Sequence, residues 1–177
     1  MTVSHEVFGA DEQTAFPIDV ARWVRLARLV VEEEQVPDQS ELSVIFVDEQ
    51  AMSDLNERFL DGTGPTDVLA FPMDDDVVLG GRQPDQGGRG PGSPSEPGDP
   101  PTLLGDVVVC PAVADRQAGL AGGTLDDEVG LLVVHGVLHL LNYDHAEPQE
   151  SETMKRRERE LLTRFRALER NGEQAPT

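Results

Sequence analysis

Leu131-Leu132-Val133-Val134-His135-Gly136-Val137-Leu138-His139-Leu140-Leu141-Asn142-Tyr143-Asp144-His145 carries three of the chain's four histidines, at intervals of four and then six. An apolar run leading into histidines at i and i+4 reads as a helix, because side chains four apart lie one above the other on the same face. His135 and His139 can then aim their imidazoles at one point. For a third ligand to join them, the chain must double back after Leu141. That turn needs a residue in the left-handed region, where Gly is best and Asn is the usual second choice. Asn142 stands at that point. Histidine nitrogen is a preferred zinc ligand, and three protein ligands with a fourth position left to water is the catalytic arrangement. The stretch is read as a catalytic zinc site on a helix and the turn after it. The alternative, ordinary core or surface histidines of an amphipathic helix, fits a single His better than three at this spacing.

What the motif lacks narrows its chemistry. In the zinc-protease helix motif a Glu follows the first His and acts as general base, and here Gly136 takes that place. The power left to the site is the metal's own, a bound water brought to a pKa of about 7 and polarisation of a substrate oxygen. That suits a phosphodiester as well as an amide.

Outward from this helix the chain alternates strands and helices. Thr124, followed by Asp126, Asp127 and Glu128, is a helix start with a capping hydroxyl and three acids at the positive end of the dipole. The helix is expected from about Leu125 to Leu141, burying Leu131, Leu132, Leu138 and Leu140. Upstream, Val3 to Val7 reads as a short strand. Asp19 to Glu34 reads as a helix, with Val20, Trp23, Val24, Ala27, Val30 and Val31 on a buried stripe and Trp23 in the core. Leu42 to Val47 is a strand, Asp48 caps a helix carrying Met52, Leu55 and Phe59, and Asp67 to Phe71 is another strand. Leu103 to Cys110 is a strand and Pro111 opens a short helix. A last helix from about Pro148 to Glu169 packs by Met154, Leu161, Leu162, Phe165 and Leu168. This order and these lengths argue an α+β domain: a small mixed sheet with helices packed mainly on one face.

Residues 80–102 hold seven Gly and six Pro among 23, with no aliphatic or aromatic side chain. Such a segment cannot offset its ordering entropy by burial. It is read as a disordered insertion between two strands of one domain spanning residues 1–170, with 171–177 a flexible tail.

At 177 residues the chain is of single-domain size. No apolar run approaches a membrane span, and the N-terminus lacks a basic region followed by an apolar one, so a soluble, unexported protein is expected. The single cysteine, Cys110, excludes an intrachain disulfide, fits a reducing cytoplasm and reads as a small buried hydrophobe. The net charge of -20 runs against nucleic-acid binding, yet Lys155 to Arg170 holds seven of the 14 basic residues and three acids, so it is +4. That stretch is either an RNA-facing surface or the solvated face of a terminal helix with Glu and Arg pairs at helical spacing.

Three segments, in order, carry a family resemblance. His135 to His145, HGVLHLLNYDH, closely resembles the H-G-x-L-H-L-x-G-Y-D-H signature of the YbeY family of rRNA maturation endoribonucleases, also described as metal-dependent hydrolases. Pro65 to Pro72, PTDVLAFP, looks like that family's P-T-D-V-L-S-F-P, and Leu104 to Val109, LGDVVV, like its L-G-D-I-x-I. The likeness covers most of residues 1–170. Asn142 stands for the signature's Gly and Ala70 for its usual Ser. Leu60 stands where members commonly carry an arginine; Arg58 is the nearest basic residue, on a different face of the helix.

The resemblance implies a four-stranded sheet, with the zinc helix and the P-T-D-V-L strand lining a cleft. It implies a zinc-dependent, single-strand-specific endoribonuclease of the cytoplasm, acting in 16S rRNA 3′-end maturation and ribosome quality control. One zinc ion would sit on His135, His139 and His145, whose metal water would be the nucleophile or would help a ribose 2′-hydroxyl. Arg58, Asp67 and Asp144 are the further catalytic candidates. Asp144 and Tyr143 lie beside the third ligand, where a carboxylate can orient an imidazole; a turn aspartate and a packing tyrosine are the plainer readings. Asp67 faces the cleft or caps a turn. Single-stranded rRNA on the ribosome is the partner, with a ribosomal protein as a docking aid for so acidic a surface, and no membrane. Two rivals remain: a zinc peptidase or amidohydrolase with its base from elsewhere, and a non-catalytic ribosome-assembly factor in which zinc is structural.

Overall fold

Residues 5–73 and 101–172 are described by the computed structural model. The elements run β1 (Glu6–Asp11), α1 (Val20–Glu33), β2 (Ser40–Phe46), α2 (Glu49–Leu60), β3 (Val68–Pro72), β4 (Thr102–Val109), α3 (Pro111–Ala121), α4 (Leu125–Leu140) and α5 (Pro148–Arg170). Most of the expected insertion at 80–102 and of the expected tail at 171–177 lies outside the described residues.

Among the described residues four strands form one sheet in the order β1-β2-β4-β3. β1, β2 and β4 are parallel, and β3 is antiparallel to β4. The sheet is therefore mixed and the fold is α+β. Alternation along the strands divides the core. Leu42, Val44 and Phe46 of β2 and Val107 and Val109 of β4 face α1, α4 and α5, together with Trp23, Val30, Val133, Val137 and Phe165. Val108 of β4 and Leu69 of β3 face the other way, onto Met52 of α2 and Val47, Cys110 and Val113. Three helices thus cover one face, and α2 with the start of α3 covers the other.

Local chemistry accounts for the element ends. Asp19 caps α1 by accepting from the Arg22 N–H, and Asp48 caps α2 by accepting from the Ala51 N–H. Thr124 and Asp127 form a reciprocal capping box at the start of α4. In β4 the parallel register with β2 slips between Glu41 and Leu42. Gly105 at this slip has φ +134°, and a Cβ there would stand 2.1 Å from the Phe71 carbonyl oxygen, so only glycine lets β3 close on β4.

β1 is the element whose position departs from expectation. It spans Glu6–Asp11, not Val3 to Val7, and residues 3 and 4 lie outside the described residues. Its bonds to β2 are those of an edge strand, and only Val7 of its length is buried, so the apolar alternation that marks a strand is missing. Trp23 and Cys110 are buried in the core as expected; burial pushes the Cys110 thiol pKa up, which keeps it an inert hydrophobe.

Candidate metal centre

The centre is built where α4 crosses the sheet and α5 folds back along it. α4 presses so closely that a Cβ on Gly136 would stand 2.5 Å from Val107 Cγ1 and 3.3 Å from Val68 Cγ2. A side chain there would have to displace Val107. The glycine read as a missing general base is the residue that lets the metal helix rest on β3 and β4.

His135 and His139 stand one turn apart on α4, with their Nε2 atoms 3.0 Å apart. After α4 the backbone reverses at Asn142, whose φ of 69° is the left-handed conformation the turn demands. The Tyr143 N–H donates to the Leu138 carbonyl at 3.0 Å, closing the turn on the helix end. His145 returns over the pair, its ring centroid 5.7 Å from that of His135 and 5.0 Å from that of His139. One nitrogen from each of the three rings lies within 4.8 Å of the others. Three nitrogens each about 2.0 Å from a tetrahedral ion would be roughly 3.3 Å apart, so the donors stand close to the spacing that coordination requires.

α5 supplies a feature absent from the sequence reading. It runs antiparallel to α4: Arg166 meets Asp127 at 3.0 Å near one end, and Glu158 meets His135 at the other. The His135 Nδ1–H donates to Glu158 Oε1 at 2.6 Å, and the Glu158 side chain is 8% exposed. A carboxylate behind a ligand histidine fixes its tautomer, turns Nε2 outward and raises its basicity. The donor set therefore fits a divalent metal ion: three imidazoles, one backed by a buried anion. Burial lowers the His139 pKa, and the neighbouring His135 and His145 lower it further, so this ring is held in the neutral form a metal needs.

The histidines open into a cavity of about 370 Å³ lined also by Asp67, Val68, Ala70, Glu128, Leu131, Leu132, Gly136 and Glu158. Asp67 stands just before β3. It lines the cavity, and its Oδ1 accepts from its neighbour's Val68 N–H at 2.7 Å. Asp144 spends its carboxylate on the turn, accepting from the His145 N–H at 2.6 Å and the Ala146 N–H at 3.2 Å, so it positions His145 through the backbone. Tyr143 packs against the core and donates its hydroxyl to Glu34 at 2.7 Å, beside the Glu34–Arg157 ion pair. Arg58 is exposed on α2 with its guanidinium 5.3 Å from the Phe59 ring centroid, and it does not line the cavity.

A cleft with three convergent imidazoles, carboxylates on its wall and a glycine in the zinc-protease base position defines a metal-dependent hydrolase of α+β fold. The chain belongs to the YbeY endoribonuclease family: the family model described as Endoribonuclease YbeY matches residues 9–166. It is 47% identical over 154 residues to Endoribonuclease YbeY of Thermobifida fusca, covering 87% of this chain and 90% of that one. The counterpart of Beutenbergia cavernae is 48% identical over 150 residues, covering 85% of this chain and 91% of that protein. The one from Pseudarthrobacter chlorophenolicus is 43% identical over 166 residues, 94% of each chain. The solution structure of TM1509 from Thermotoga maritima matches the fold with a TM-score of 0.55 at 22% identity, over 97% of this chain and 96% of that one.

Proposed function

We propose that this protein is a zinc-dependent, single-strand-specific endoribonuclease of the cytoplasm that acts in 16S rRNA 3′-end maturation and ribosome quality control. The observation that carries the proposal is the convergence of His135, His139 and His145 in a carboxylate-walled cavity, in a chain that belongs to the YbeY family. Zinc suits three imidazoles in a compact set, and when bound it lowers the pKa of water to about 7 and polarises an oxygen.

The chain's own residues do the rest. Glu158 holds the His135 ring with Nε2 facing the cavity. The Asn142 reversal and the Asp144 carboxylate hold the backbone of His145 in place. Ala70, Leu131 and Leu132 give the cavity an apolar wall, which strengthens electrostatic interactions within it. The metal set proposed is His135, His139 and His145; Asp67 is proposed to act in the cavity, Asp144 through the turn, and Arg58 only from outside the cavity. A zinc peptidase of the usual helix type is disfavoured, because the site of its base is sterically closed at Gly136.

Substrate approach falls to α5. Arg157, Arg164 and Arg166 are occupied by Glu34 and Glu160, by Glu33, and by Asp127. Lys155, Arg156, Arg159 and Arg170 are exposed, and no acid among the described residues pairs with them. On a chain of net charge -20 this helix is the surface suited to an RNA backbone, and a basic ribosomal protein is proposed as the docking partner for the acidic remainder. No helix among the described residues is long and apolar enough to cross a membrane. The test is cleavage of matched single-stranded and duplex RNAs by zinc-loaded protein, with and without chelator. Cleavage of the single strand alone, abolished by chelation, supports the proposal; cleavage of peptides with intact RNA refutes it.

A further inference from the structure

α4 opens with three consecutive acids, and two of them have structural partners. Asp126 pairs with Arg22 at 2.7 Å. Asp127 completes the Thr124 capping box and pairs with Arg166 at 3.0 Å. Glu128 has neither: it is half-buried, and no hydrogen-bond donor or cation among the described residues meets its carboxylate. It points instead into the histidine cavity, whose wall it shares with Asp67.

Helix geometry places it usefully. Glu128 precedes His135 by seven residues, two turns on the same face, which separates their Cα atoms by roughly 10 Å. The groups around the cavity that carry charge or titrate are Asp67 at the start of β3, Glu128, His135 and His139 on α4, His145 after it, and Glu158 on α5. Glu158 is committed to His135 and Asp67 to the Val68 N–H. Glu128 is the one carboxylate of the wall with no such commitment among the described residues.

We propose that Glu128 is a catalytic residue, the general acid that protonates the leaving ribose oxygen of the scissile phosphodiester. The inference rests on the endoribonuclease reading. The oxygen of a water molecule bonds to phosphorus while the bond from phosphorus to the leaving ribose oxygen breaks. The electron pair of that bond stays on the leaving oxygen, which takes the Glu128 proton. The water's proton is released to solvent, and Glu128 is reprotonated from solvent. Burial, with the Asp67 charge adding to it, raises the Glu128 pKa, as a proton donor near neutral pH requires.

The test compares Glu128→Gln with wild type in binding, in RNA cleavage and on an activated substrate. Zinc content and the Kd for a single-stranded RNA, measured by anisotropy on metal-free protein, should stay within about threefold of wild type. The kcat on that RNA should fall roughly 10²- to 10⁴-fold, with loss of the descending alkaline limb of its pH profile. On a uridine 4-nitrophenyl phosphodiester, whose leaving group needs no proton, the variant should come within about threefold of wild type. A carbon-13 titration of Glu128 in the metal-free protein should place its proton release above the ordinary Glu range. RNA cleavage equal to wild type, equal loss on the activated diester, loss of zinc, or an ordinary titration overturns the assignment of Glu128 alone. A wild type inert on RNA overturns the endoribonuclease reading instead.

Discussion

Replacing Glu158 by Gln isolates the contribution of the anion behind His135 to the zinc binding proposed above. The change is nearly isosteric, and the amide oxygen can still accept from His135 Nδ1. What is lost is the charge. A charge-assisted hydrogen bond is roughly twice as strong as a neutral one, whose net worth is about 1 kcal/mol. The contact is short at 2.6 Å and the carboxylate is 8% exposed, so solvent does little to screen it. The loss in zinc binding should be about 1 to 2 kcal/mol, a factor of roughly 5 to 30, at and below the lower part of the 10- to 100-fold range for removing a ligand's outer partner altogether. The metal-free variant should unfold within about 1 kcal/mol of wild type, because the weaker hydrogen bond to His135 is offset by no longer burying a carboxylate. The assay is competition for zinc against a chromophoric chelator at pH 7.5, with urea unfolding of both metal-free proteins. An unchanged zinc affinity, or a weakening matched by an equal loss of metal-free stability, would refute the reasoning.

Three further outcomes are expected. Gly136→Ala adds a methyl 2.5 Å from Val107 Cγ1; overpacking of about 2 to 3 kcal/mol, less about 1 kcal/mol of better helix propensity, should lower stability by about 1 to 2 kcal/mol in urea unfolding. Among the described residues neither ring nitrogen of the buried His5 has a hydrogen-bond partner, and burial lowers its pKa below 6.5. Its neutral form is the one that folds, so stability should be full above pH 6.5 and fall as pH drops below it, and His5→Leu should flatten that acid limb when wild type and variant are unfolded at pH 7 and pH 5. Replacing both Lys155 and Arg159 by Gln should weaken single-stranded RNA binding and reduce the slope of log K against log salt by ~1.4, with zinc content unchanged; an unaltered slope would remove α5 from the RNA surface.

The metal cluster was legible because its requirements are local. Helical periodicity aligns His135 with His139, and the left-handed preference of Asn142 is a property of one residue, so spacing alone brings three histidines together. Caps at Asp48 and Thr124 were legible for the same reason. Glu158 was not, because its partner lies 23 positions away on another helix. A signal did exist: Glu158 interrupts the buried stripe of Met154, Leu161 and Phe165, and an acid at a stripe position must have a partner. Gly136 has a steric cause that one helix in isolation does not reveal, because Val107, which presses against it, lies on β4. β1 misled because an edge strand with one buried residue lacks the alternation that marks strands.

The central claim is that three histidines and the metal they hold make this chain cleave RNA. The direct measurement is cleavage of a labelled 16S rRNA precursor by wild type and His139→Ala, with zinc content determined on the same preparations. Wild type should carry about one zinc per chain and shorten the precursor's 3′ end, and the variant should lose both properties while remaining folded. Equal cleavage by the two proteins would contradict the account.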